Sequence, residues 1–173
     1  MAKEMYLLPS LEYGYAELEP YIFEEQLRIH HNKHHQAYVT NVNSILQTMD
    51  KARAEGTDFD YKANAKALAF NLGGHVLHDY FWWELTPANN SNKEPVGEMS
   101  EVIKEDFGNF ERFKKEFTQV ASSVEGSGWA AFSFTSLPSD KLYLTSSPVE
   151  KLTSIILLSG ISSIYLTRAL KLP

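Results

Sequence analysis

All six histidines of this 173-residue chain lie between positions 30 and 78. They form two clusters, His30-His31-Asn-Lys-His34-His35 and His75-Val-Leu-His78. On a helix, His30, His34 and Tyr38 follow one another at four-residue spacing and share a face. His75, His78 and Trp82 are three and four apart and share a face of a second helix. If the two helices are antiparallel neighbours, an imidazole from each reaches the same point. That arrangement suits a metal with nitrogen ligands, and ligand type alone admits iron, manganese, zinc or copper. A paired histidine on a polar helix also describes a solvated face, and a histidine above an aromatic also describes a satisfied core residue. Spacing leaves these readings open. The aromatic runs Tyr80-Phe-Trp-Trp83 and Phe107 to Phe117 read as core.

The elements that must position these side chains follow from hydrophobic periodicity. From Glu24 to Glu55 there is no glycine or proline, and Leu27, His31, Tyr38, Val42, Ile45, Leu46 and Met49 recur at helical spacing. Glu24 and Glu25 sit in the first turn, where the helix dipole favours negative charge. Gly56 is the stop. A second helix runs from Tyr61 to Glu84 and carries Gly73-Gly74. Two long helices joined by a short link predict an antiparallel hairpin. Residues 1–20 read as an extended arm. The stretch Pro87-Ala-Asn-Asn-Ser-Asn-Lys-Glu-Pro95 is a linker by composition, which divides the chain into domains 1–88 and 89–173. Beyond it, Met99, Val102, Ile103 and Phe107 line one helix. Gly108 and Asn109 are its stop and the next helix's cap. Phe110, Phe113 and Phe117 line that next helix, and Gly126-Ser-Gly128 ends it. Trp129 to Ser136 and Lys141 to Thr145 have strand character, with Leu137-Pro-Ser-Asp140 as the turn. The predicted class is α+β: a long helical hairpin, then an α/β domain with a small antiparallel sheet.

Composition narrows the function. The chain is 43% hydrophobic and 13% aromatic, enough for a packed core. Its net charge of −6 argues against nucleic acid as the main partner. An anionic substrate therefore needs a local positive funnel. The absence of cysteine excludes disulfides, zinc-thiolate sites and thiol catalysis, and fits a reducing cytosol. The first residues show no apolar signal region. The apolar-leaning stretch Leu152 to Leu166 is too short to span a bilayer. A cytoplasmic protein without membrane contact is expected.

Five strings occur in order: Leu18-Glu-Pro-Tyr-Ile, His30-His-Asn-Lys-His-His-Gln-Ala-Tyr-Val39, Phe70-Asn-Leu-Gly-Gly-His-Val-Leu-His78, Phe81-Trp82 and Gly126-Ser-Gly-Trp-Ala130. Together they resemble the iron/manganese superoxide dismutases, from about Tyr6 to about Lys151. The resemblance implies a helical-hairpin domain and an α/β domain with one iron or manganese ion per subunit between them. It makes His30 the first metal ligand and His78 the second. It places His34 and Tyr38 at the substrate entrance, as a pair able to relay protons. Trp82 and Trp129 become an aromatic wall, Lys33 attracts the anion, and His31, His35 and His75 are structural or supporting. The implied reaction disproportionates superoxide to dioxygen and hydrogen peroxide as the metal cycles between two oxidation states. Gly74 and the Val149-Glu-Lys sequence lean towards iron. A homodimer or homotetramer is the implied assembly.

The likeness then breaks. The family completes its site with an aspartate and a third histidine in a stretch Asp-x-Trp-Glu-His-Ala-Tyr-Tyr, whose Glu-His also bridges the dimer. This sequence holds no such stretch, no histidine after His78 and no carboxylate side chain after Glu150. The abrupt change suggests a reading-frame shift near codon 151. The alternative is real divergence, with residues 152–173 forming a replacement strand or helix. The function expected is thus superoxide dismutation, impaired by two missing ligands. The other reading is a catalytically silent family member acting as a binding or structural protein.

Overall fold

The computed structural model describes residues 5–135, 141–148 and 163–169. Its contacts divide the chain into two compact units, Met1–Trp83 and Glu84–Pro173.

In the first unit, Glu24 and Glu25 open α1 (Glu24–Ile29), and Arg28 closes back on Glu24 at 2.7 Å. The chain then passes through a π-helical turn, His30–His35, into α2 (Gln36–Glu55). The sequence predicts one unbroken α-helix over this span, and the π-turn is a correction to it. In a π-turn each amide reaches back one residue further, so the turn widens. The wider turn falls on the one segment that must seat several neighbouring imidazoles, and such turns recur at functional sites. Gly56 ends α2 as expected. It is left-handed, with φ 65°, and its amide bonds the Ala52 carbonyl. Few other residues accept that conformation at low cost.

The return helix is α3 (Tyr61–Trp83). Its direction follows from its partners. His30 meets His78, His35 meets His75 and Asn41 meets Asn71, so one number falls as the other rises and the helices are antiparallel. Leu27, Val42 and Leu77 are fully buried in this hairpin. Each such side chain contributes roughly 1.5–3 kcal/mol by leaving water. The arm preceding α1 is tied down by Asn43, which accepts the Tyr6 amide at 2.9 Å and donates to the Tyr6 carbonyl at 2.8 Å.

In the second unit, α4 (Glu98–Phe107) stops at Gly108, which has φ 83°. Asn109 then caps α5 (Phe110–Ser122), its side chain accepting the Arg112 amide at 2.8 Å. Both features match the sequence expectation. Phe113 of α5 packs its ring 5.3 Å from Phe107 and 4.8 Å from Phe132. The sheet consists of β1 (Gly128–Thr135), β2 (Lys141–Pro148) and β3 (Ser163–Ala169) in the order β2-β1-β3. Both pairings are antiparallel, with Phe132 opposite Leu144 on one side and Tyr165 on the other. The turn predicted at Leu137-Pro-Ser-Asp140 lies outside the described residues. Within the divergent tail, Ser163–Ala169 forms a strand, one of the two conformations expected of it. Among the described residues no helix is long and apolar enough to cross a membrane.

Candidate metal centre

His78 lies on α3 and is buried, and its Nδ1 is 2.6 Å from the Gly74 carbonyl. A carbonyl can only accept, so Nδ1 carries the proton. In the neutral ring the Nε2 lone pair is then the coordinating or accepting group, and one backbone contact has fixed both tautomer and ring direction. That Nε2 faces the Nε2 of His30 at 3.0 Å. The ring of Trp82 stands 4.7 Å from the His30 ring at a steep angle, which restricts how His30 can turn.

His34 completes a triangle. Ring centres are 5.0 Å apart for His30–His78, 5.0 Å for His34–His78 and 5.4 Å for His30–His34. One nitrogen from each ring lies within 4.8 Å of the others. His78 is buried, His30 half-buried and His34 exposed, so the group opens to solvent on the His34 side. Tyr38 flanks it, its ring 5.1 Å from His34 and 5.3 Å from His78. Lys33 is exposed on the same π-turn. Of the residues singled out from the sequence, the structure therefore gathers His30, His34, Tyr38, His78 and Trp82 in one unit. Trp129 belongs to the second unit, where it is buried on β1.

Gly74 has a steric reason to be glycine. A Cβ built there would lie 2.5 Å from two carbons of the Tyr38 ring. Gly74→Ala should therefore push Tyr38 away from the imidazoles. The expected cost is ~1–3 kcal/mol, as for overpacking a core. A urea titration reads it, and an unchanged midpoint would contradict the contact.

A second set of side chains was not legible from spacing. The Trp82 indole N–H donates to His35 Nδ1 at 2.9 Å, and His35 Nε2 is 2.8 Å from His75 Nδ1. Indole is a donor only, so His35 Nδ1 must accept. The neutral ring then carries its proton on Nε2 and donates it to His75. Burial, then the neighbouring imidazoles, push the His35 pKa down to about 3. Burial also lowers that of His75, with Asp79 opposing. The unfolded chain binds a proton at His35 below about pH 6.5, while the folded chain does not until about pH 3. Stability should thus fall as the pH drops through this window and be unaffected by His35 above it. Urea midpoints between pH 7 and pH 4 test this, with His35→Phe predicted to flatten the slope. His31 is tied down separately. Its Nε2 donates to the Pro9 carbonyl at 2.8 Å, and its Nδ1 meets the Tyr15 hydroxyl at 2.9 Å. The signals for these roles lie in the arm and across the hairpin, beyond the reach of local spacing.

Comparison with known proteins agrees with the architecture. Residues 5–86 match the family model described as iron/manganese superoxide dismutases, alpha-hairpin domain. Residues 95–158 match the C-terminal domain of the same family. The chain is 52% identical over 144 residues to an iron superoxide dismutase of Methanothermobacter marburgensis, covering 83% of this chain and 71% of that protein. It is 42% identical over 139 residues to an iron superoxide dismutase of Pyrobaculum aerophilum, covering 80% of this chain and 66% of that protein. A manganese superoxide dismutase of Mycolicibacterium fortuitum is 43% identical over 132 residues, covering 76% of this chain and 63% of that protein.

Proposed function

This chain belongs to the iron/manganese superoxide dismutase family, a family of oxidoreductases, and from that premise we propose that His30 and His78 are metal ligands of a site that disproportionates superoxide. The observation that carries this is the pair of Nε2 atoms facing each other at 3.0 Å, one of them fixed in tautomer by a backbone carbonyl. Two nitrogens at metal bonds of about 2.1 Å and an angle of about 90° stand about 3.0 Å apart, so the pair fits an ion without rearrangement. The bound metal supplies one-electron chemistry, through which one superoxide is oxidised to dioxygen and another reduced to hydrogen peroxide. Reducing superoxide to peroxide consumes protons. Tyr38 and His34, side by side at the edge of the imidazole group, are placed to pass them inward. Lys33, exposed on the same turn, offers a local positive charge for drawing in an anion on a chain of net charge −6. Trp82 walls the site, and a water-poor wall strengthens the electrostatics within it. Between iron and manganese the reading favours one iron ion per subunit, supported by the iron enzymes at 52% and 50% identity. A cytoplasmic homodimer or homotetramer completes the proposal.

The donor set also supports a second reading. The described imidazole group contains no carboxylate, and the sequence has no Asp-x-Trp-Glu-His stretch. A mononuclear catalytic site ordinarily has three or more protein ligands. A catalytically silent member that binds metal weakly is what remains if the missing ligands come from nowhere. The test is to purify the chain from iron- and manganese-supplemented cells and measure metal per chain and superoxide dismutation. Low occupancy with activity far below that of a complete relative supports the impaired enzyme. One metal per chain at high activity refutes the impairment, and no detectable activity favours the silent member. Translating the coding DNA downstream of codon 151 in all three frames separates a frame shift from divergence, since a shift restores the Asp-x-Trp-Glu-His stretch.

A further inference from the structure

We infer that His34 is itself a coordinating residue in this chain, so that the hairpin holds a divalent ion on three imidazoles and no carboxylate. The inference rests on the reading of His30 and His78 as ligands and adds a third, which leaves the inward passage of protons to Tyr38. With a metal–nitrogen bond of about 2.1 Å, an imidazole ring centre lies about 3.2 Å from the ion. Tetrahedral spreading then sets ring centres about 5.2 Å apart, whereas right-angle spreading sets them about 4.5 Å apart, on that same bond length. The observed ring-centre triangle of 5.0, 5.0 and 5.4 Å lies close to the tetrahedral value on all three sides, and the Nε2 atoms of His30 and His78 need part by only about 0.4 Å from 3.0 Å to reach the tetrahedral separation of about 3.4 Å. His34 is the exposed member, and its nitrogen lies within 4.8 Å of those of His30 and His78, so an inward turn of its ring brings it to bonding distance.

The other imidazoles of the region cannot take this place. His35 has Nδ1 accepting from Trp82 and Nε2 directed at His75. His75 receives that bond at Nδ1, and His31 has both nitrogens engaged by Pro9 and Tyr15. Hydrogen bonding therefore assigns His31, His35 and His75 to support, while the nitrogens of His30, His34 and His78 are the ones that converge. Three protein nitrogens would leave a four-coordinate ion one position for solvent. A neutral, all-nitrogen set favours ions that prefer imidazole. Affinity should follow the usual order, copper(II) above zinc, then cobalt, then iron(II), with manganese(II) weakest.

Cobalt(II) is a suitable probe, because tetrahedral cobalt absorbs visible light far more strongly than octahedral cobalt. The full chain, stripped of metal, is titrated with cobalt(II) alone and then challenged with zinc or manganese(II). The expected result is a strong visible band that zinc abolishes and equimolar manganese leaves unchanged. His34→Ala should lose that band and weaken cobalt binding at least tenfold, with the circular dichroism of the wild type. His34→Asp should regain binding with a weaker band and a smaller preference against manganese. An unchanged band and affinity in His34→Ala, with binding lost in His78→Ala, overturns the inference while leaving the His30–His78 site standing. Unchanged binding in His78→Ala overturns the site itself. Failure of the wild type to bind cobalt overturns both.

Discussion

With His78 replaced by alanine, the chain should emerge from any metal reconstitution with no ion above background. His78 is the buried member of the group, and its direction is set by the Gly74 carbonyl. Loss of a supporting contact to a ligand typically costs 10–100-fold in affinity, and loss of the ligand itself should cost ~100-fold or more. His30 and His34 sit on one turn and lack the cross-hairpin nitrogen that turns two neighbouring imidazoles into an enclosing set. Elemental analysis after dialysis gives the number directly. Metal content equal to the wild type would mean that the ion sits elsewhere.

The largest expected loss of stability comes from Trp82→Ala. The side chain is buried and its N–H is the donor to His35. Truncating a buried Trp costs about 3–5 kcal/mol, and a buried acceptor stripped of its donor adds about 1–3 kcal/mol. With a urea slope of about 2 kcal/mol/M, the midpoint should fall by ~2 M or more. Trp82→Phe divides the two effects, since it keeps most of the ring and removes the N–H. It should fall between wild type and alanine, and a midpoint equal to wild type would show that the bond to His35 contributes nothing. The Tyr13 hydroxyl donates to the Trp82 carbonyl, a backbone contact that both variants retain.

What could be read in advance divides along physical lines. The hairpin was legible because Gly56 and the apolar spacing of α2 act locally, and the Gly108-Asn109 pair was legible for the same reason. The π-turn was not, because its sequence has the composition of an ordinary helix and only the seating of neighbouring imidazoles distinguishes it. That an imidazole from each helix reaches a common point was legible from antiparallel packing, while the choice of His30 and His78 came from the family resemblance. The membership of His34 in the same triangle depends on ring directions, which four-residue spacing leaves undetermined. The Trp82–His35–His75 chain joins positions up to 47 residues apart and has no local signature. Strand β3 was equally hidden, since a tail of Ile, Leu, Ser and Thr lacks the alternation that marks a half-buried strand.

The order of the sheet also bears on biosynthesis. Strand β1 is central and needs both β2 and β3, and β3 comes from residues 163–169. Every imidazole and every turn of the hairpin precedes residue 84. A ribosome releases N-terminal segments first, and domains fold as units as they emerge. The helical half can therefore settle, with its nitrogens already aimed, while the sheet still waits for its last strand. Nascent chains arrested shortly after the hairpin clears the exit tunnel would then capture metal before the sheet exists.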